Sequence, residues 1–142
     1  MCSLSLDKEK TQVADIVKTP SQSTLKVLAV DDDNTNRMII SKMLERLGIS
    51  FQVVNSGQEA IKAIKHNEFD IVLMDIEMPE KDGYETTREI RRDEQANGSH
   101  PIKIVALSAH GTSEFKEKAQ LSGMNEFINK PVKITDLESL FK

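Results

Sequence analysis

Four apolar runs punctuate the chain, and each stops at a polar group. Leu25-Lys26-Val27-Leu28-Ala29-Val30 stops at Asp31-Asp32-Asp33, and Ile71-Val72-Leu73-Met74 stops at Asp75. Ile102-Lys103-Ile104-Val105-Ala106-Leu107 stops at Ser108, and the short Glu126-Phe127-Ile128-Asn129 stops at Lys130-Pro131. Near-continuous apolar runs of this length suit strands covered on both faces. Between them the period changes. Met38, Ile39, Met43, Leu44 and Leu47 recur at helical spacing, and Gly48 supplies a stop. Residues 51–54 predict a short second strand. Ser56-Gly57-Gln58-Glu59 is a capping box, with Ala60, Ile61 and Ile64 continuing the helix behind it. A turn-rich loop over 78–83 leads into a third helix over 84–92. A polar loop over 93–101 follows, then a helix over about 112–121 stopped by Gly123. Thr135 with Glu138 opens the last helix. Five strands alternate with five helices, which predicts an α/β fold with a parallel sheet covered on both faces.

The polar ends of the runs carry the chemistry. All strands of an open parallel sheet end on one edge, and ligands bind there. Asp31, Asp32 and Asp75 would meet a hydroxyl from Ser108 and an ammonium from Lys130. Such a set suits a divalent cation and a phosphoryl group. The acidic cluster also has a plain reading, as charge favourable to a helix N-terminus. That accounts for Asp33 and Asn34, but not for Asp75 at the end of another strand.

Composition narrows the alternatives. The chain has 142 residues, enough for one domain with a proper core; hydrophobic residues make up 38% and charged residues 30%. Net charge is −4, with no basic stripe, so direct nucleic-acid binding is not expected. The single cysteine, Cys2, excludes disulfides and cysteine-based zinc sites within one chain and favours an intracellular setting. No apolar run reaches membrane-spanning length, and no secretory signal opens the chain. Residues 1–24 are polar and end in Thr19-Pro20-Ser21-Gln22-Ser23-Thr24, which predicts a flexible tail. Val13, Ile16 and Val17 allow it one weak helical turn. His66, His100 and His110 lack metal-ligand spacing, and none resembles a phosphorylatable histidine in a helical bundle.

Four motifs carry a family resemblance. They are Val30-Asp31-Asp32 with Asn36-Arg37, Leu73-Met74-Asp75-Ile76-Glu77-Met78-Pro79 with Asp82-Gly83, Ala106-Leu107-Ser108-Ala109, and Lys130-Pro131. In this order, each at a strand end, they closely resemble the receiver domain of two-component response regulators. The wording looks most like receivers attached to, or derived from, hybrid sensor kinases. The match makes residues 25–142 the receiver domain and leaves 1–24 outside it. The resemblance implies a doubly wound, five-stranded, flavodoxin-like fold with strand order 2-1-3-4-5.

It also implies phosphorylation of Asp75 by a phosphohistidine on a histidine kinase or a histidine-phosphotransfer protein. Magnesium (Mg2+) would be held by Asp32, Asp75 and the backbone carbonyl of Glu77, and by Asp31 through water. Ser108 would bind a phosphoryl oxygen and Lys130 would pair with the group. Ser108 and Phe127 occupy the switch positions, and a cis peptide is common before the proline at Pro131. Glu77 and His110 flank the path of attacking water, so both would set the phosphoryl lifetime. Asp33 replaces a commoner asparagine and reads as a helix cap.

The residue types fit the reaction. A carboxylate attacks an anionic phosphoryl group poorly, because like charges repel. A hard cation offsets that repulsion, and a lysine adds a point charge where negative charge builds. Two other functions compete with a signalling switch or relay. A magnesium-dependent phosphatase would want a second aspartate two residues after the nucleophile, where Glu77 stands, and a substrate cap for which there is little room. A degenerate receiver that only binds a partner conflicts with the intact set of Asp32, Asp75, Ser108 and Lys130. A monomer in the cytoplasm, or in the nucleus of a eukaryote, is expected. The distinctive tail favours a free-standing regulator over a receiver cut from a hybrid kinase.

Overall fold

The computed structural model describes residues 25–141; the tail expected over 1–24 lies outside them. Five strands and five helices alternate: β1 Lys26–Val30, α1 Asn34–Arg46, β2 Ser50–Val54, α2 Gly57–His66, β3 Ile71–Asp75, α3 Gly83–Asn97, β4 Lys103–Ser108, α4 Ser113–Ser122, β5 Glu126–Asn129 and α5 Ile134–Leu140. All pairs are parallel and the sheet order is β2-β1-β3-β4-β5, the doubly wound flavodoxin-like arrangement.

Strand alternation divides the interior into two cores. Leu28, Val30, Val72, Met74, Ile104 and Ala106 face α2, α3 and α4. Val27, Ala29, Leu73, Val105 and Leu107 face α1 and α5. The central β3 is buried along its whole length, as its unbroken apolar run requires.

Three details differ from the sequence expectation. Helix α1 buries Ile40 and Leu44, while Met38 and Ile39 are 53% and 45% exposed. One face of a helix meets the sheet, and Ile40 with Leu44, four residues apart, takes it. Helix α3 runs on to Asn97, through residues expected to form a loop, and ends at Gly98 in the left-handed conformation. The Glu94 carboxylate holds this extra turn: Oε1 accepts from Arg91 Nη1 at 2.8 Å and Oε2 from the Ile102 amide at 2.8 Å. Helix α5 opens at Lys133, whose amide donates to Asp136 Oδ2 at 3.0 Å, rather than at Thr135. The expected Gly48 and Gly123 stops and the Ser56 cap are all present.

Candidate functional site

Backbone hydrogen bonds carry three strand ladders one residue past the sheet and fix the site's frame. The Asp31 amide donates to the Val54 carbonyl at 3.2 Å, the Ile76 amide to Leu107 at 3.0 Å, and the Lys130 amide to Ser108 at 2.8 Å. Asp31, Asp75 and Lys130 are thereby held at one edge. The peptide between Lys130 and Pro131 is cis, as expected. Gly83 adds a close approach. A Cβ there would lie 2.5 Å from the Asp75 carbonyl oxygen and 2.8 Å from Ile76 Cα, so α3 starts directly against the end of β3.

Asp31, Asp32 and Asp75 each present an oxygen within 4.8 Å of the others. Asp31 and Asp75 are 1% exposed, whereas Asp32 faces solvent. Lys130 Nζ donates to Asp75 Oδ1 at 2.8 Å and lies 3.4 Å from Asp31 Oδ2. The longer distance is within ion-pair reach, but Asp31 Oδ2 has no hydrogen-bond partner. Asp31 Oδ1 accepts from the Asp33 amide at 2.9 Å. Asp33 itself caps α1, accepting from the Thr35 amide at 2.8 Å.

The electrostatics follow from burial and charge crowding. Desolvation pushes the Asp75 carboxyl up from its usual 3.8 to about 7; the Lys130 ammonium opposes this, and the Asp31 and Asp32 carboxylates add to it. Desolvation works against the Lys130 charge, but Asp75 and Asp31 outweigh it and raise its pKa.

Three carboxylates thus crowd together while one ammonium reaches only Asp75 and Asp31, and a buried carboxylate oxygen is left without a hydrogen bond. Hard, anionic oxygen donors in this number suit magnesium. The Glu77 carbonyl, expected as a further donor, accepts no hydrogen bond among the described residues.

The remaining expected residues lie around this centre. Ser108 is fully buried at the end of β4, and its hydroxyl donates to Glu77 Oε2 at 2.9 Å. The His110 ring stacks on Phe115 with centroids 5.0 Å apart. Phe127 is half-buried, packs against the α2–α3–α4 core, and has Lys116 Nζ 5.9 Å from its ring centroid. Arg37, part of a motif but given no role from sequence, donates from Nη1 to the Asp31 carbonyl at 2.7 Å and from Nη2 to Asn34 Oδ1 at 3.2 Å. It ties α1 to the acidic turn. Its place three residues after Asn34, on the same helix face, is the signal the sequence offers.

An apolar cleft adjoins the acidic centre. Ile39, Ile40, Pro131 and Val132 line it beside Asp31 and Lys130.

Comparison with known proteins agrees with this geometry. The response regulator receiver domain family matches residues 27–142. Hybrid signal transduction histidine kinase B of Dictyostelium discoideum is 40% identical over 137 residues, covering 91% of this chain and 7% of the relative. Sensor histidine kinase GacS of Pseudomonas protegens is 37% identical over 115 residues, covering 81% of this chain and 12% of the relative. The chain therefore spans a small fraction of the length of these relatives.

Among solved structures, a chain from the co-crystal of the Saccharomyces cerevisiae histidine phosphotransfer signalling protein Ypd1 and the receiver domain of its downstream response regulator Ssk1 superposes with a TM-score of 0.79. Identity is 33%, covering 82% of this chain and 86% of that one. The receiver domain of sensor histidine kinase PA1611 from Pseudomonas aeruginosa, with magnesium coordinated in its active-site cleft, gives 0.73 at 32% identity, covering 82% and 93%.

Proposed function

The chain belongs to the response regulator receiver family, and from that premise we propose that it accepts a phosphoryl group on Asp75 in a two-component phosphorelay. The observation that carries the reading is the buried Asp75 carboxylate, held by Lys130 at 2.8 Å among two further carboxylates. An oxygen of Asp75 forms the new bond to phosphorus as the phosphorus–nitrogen bond of the donor phosphohistidine breaks. The imidazole leaves with the electron pair. Lys130 moves its charge from the Asp75 oxygen to the incoming phosphoryl oxygens. Ser108 donates its hydroxyl to one of them, and Phe127 changes packing behind it.

Asp32, Asp75 and the Glu77 carbonyl would hold magnesium, with Asp31 behind it. The cation supplies neutralisation of the crowded oxygens when bound. Glu77 and His110 set how easily water reaches the acyl phosphate, and the phosphorylated state decays slowly enough to be passed on. The chain turns over no separate substrate. Its receiver domain spans 25–142, and residues 1–24 stand outside it.

The donor is a histidine kinase or a histidine-phosphotransfer protein. The exposed Ile39 and the apolar cleft it lines with Pro131 and Val132 give it a greasy rim beside Asp31 and Lys130. None of the described helices is long and apolar enough to cross a membrane, and the proposed setting is the cytoplasm.

Incubation with a small phosphodonor and magnesium tests the assignment. Stoichiometric, base-labile labelling that disappears in Asp75→Asn is expected. Labelling retained at another position in that variant overturns it.

A further inference from the structure

Glu77 stands two residues after the acceptor, yet its side chain does not join the carboxylate cluster. It crosses to β4, where Oε2 accepts the Ser108 hydroxyl at 2.9 Å. Ser108 is fully buried, and its oxygen accepts from the His110 amide at 3.0 Å. The other oxygen near it, the His110 carbonyl at 3.4 Å, is long for a hydroxyl donor. A serine hydroxyl carries one proton and donates in one direction at a time. In the phosphoacceptor reading, on which this inference rests, the same proton must go to a phosphoryl oxygen. The two uses exclude each other.

A second buried donor stands in the first turn of α3. The Tyr84 hydroxyl is buried and has no partner. A buried hydroxyl left in that state costs free energy, which a new acceptor would recover. Its phenol pKa is raised by burial first, then by the Glu77 and Asp82 carboxylates, so the Glu77 charge lies within electrostatic reach of the ring. Lys118 Nζ lies over the ring, 4.7 Å from its centroid.

We propose that Glu77 is a positioning residue that exchanges partners: it holds the Ser108 hydroxyl in the unphosphorylated state and takes the Tyr84 hydroxyl when Ser108 turns to the phosphoryl group. The latch opposes premature movement of Ser108. Tyr84 lowers the cost of opening it. The exchange links the acceptor to the start of α3 through side chains alone, with no covalent bond made or broken.

Beryllium fluoride with magnesium is the probe, standing in for a phosphoryl group on Asp75 of the full chain. Tyr84 is the single tyrosine and there is no tryptophan, so ultraviolet emission reads this site directly. In the parent, probe binding should change tyrosine emission. Glu77→Ala should abolish that change and tighten probe binding roughly threefold to tenfold, the scale of a charge-assisted hydrogen bond discounted for exposure. Loss of the Glu77 charge alone would tighten binding equally whether or not Ser108 is present. The latch adds a part that vanishes in a Ser108→Ala background. Glu77→Gln, which keeps an acceptor oxygen, should retain part of that coupling. Equal tightening in both backgrounds overturns the latch, and unresponsive emission in a parent that binds the probe overturns the handover to Tyr84. Failure of the parent and every variant to bind the probe overturns the Asp75 reading itself, and the latch with it.

Discussion

Asp75 carries opposing demands. The fold buries it, and burial alone favours its protonated form; its carboxyl is accordingly raised to about 7. A group whose folded pKa lies above its unfolded value contributes stability that is complete below the unfolded pKa and is lost as pH rises through the folded one. Without magnesium the protein should therefore lose stability as pH climbs from about 4 to about 7, with the cation restoring it at neutral pH. Thermal melts with magnesium and with chelator, compared across that range, test this. A magnesium increment that stays constant with pH counts against a buried Asp75 as its source. The neighbouring acids separate by role in the same way. Asp33→Ala removes a helix cap and should cost about 1 kcal/mol in stability while sparing magnesium affinity. Asp32→Ala should weaken magnesium binding instead, measured by titration; equal losses in the two variants would mean the acidic turn is misassigned. The Asp33 cap was legible because a carboxylate directly ahead of a segment of helical apolar spacing marks a helix N-terminus. The partner of Glu77 was not, since nothing local in the chain says that its side chain turns toward a residue 31 positions away.

At the level of elements, the three inner strands were legible almost to the residue, because burial on both faces demands unbroken apolar runs, whereas the edge strands β2 and β5 are only half-buried. Helices proved harder where tertiary contacts decide. The last turn of α3 is polar and carries no apolar stripe, and its hold comes from Glu94 reaching the start of β4. On α1 the stripe holds Ile40, Met43, Leu44 and Leu47, while Met38 and Ile39 fall outside it, because five apolar positions share a helix with one buried stripe. Gly83 shows an element junction that serves the site. Its missing side chain lets α3 begin against the backbone of Asp75, and its amide donates to the Ile76 carbonyl at 2.9 Å. Gly83→Ala should push the acceptor loop out of place. Labelling by a small phosphodonor should fall by more than tenfold, while circular dichroism still reports the helices and strands. Unchanged labelling would show that the loop absorbs the extra carbon.

For the whole molecule, the sheet is a wall between two cores. The exposed Met38 and Ile39 ride on α1, which packs on one side, and Ile39 lines the cleft beside Asp31 and Lys130. Phe127 packs on the other, with α2, α3 and α4. Ile39→Asp should slow phosphotransfer from a protein donor by roughly tenfold, as loss of a central apolar contact does. It should leave labelling by a small phosphodonor unchanged, and an equal loss with both donors would place the damage in the acceptor rather than in docking. The partition also bears on traffic. A donor whose footprint covers α1 leaves the Phe127 side of the wall uncovered, so a reader of the phosphorylated state can arrive before the donor departs. Signal handover then requires no empty interval between one partner and the next, and resonances of Phe127 and α4 should remain unshifted when an unphosphorylated donor saturates α1.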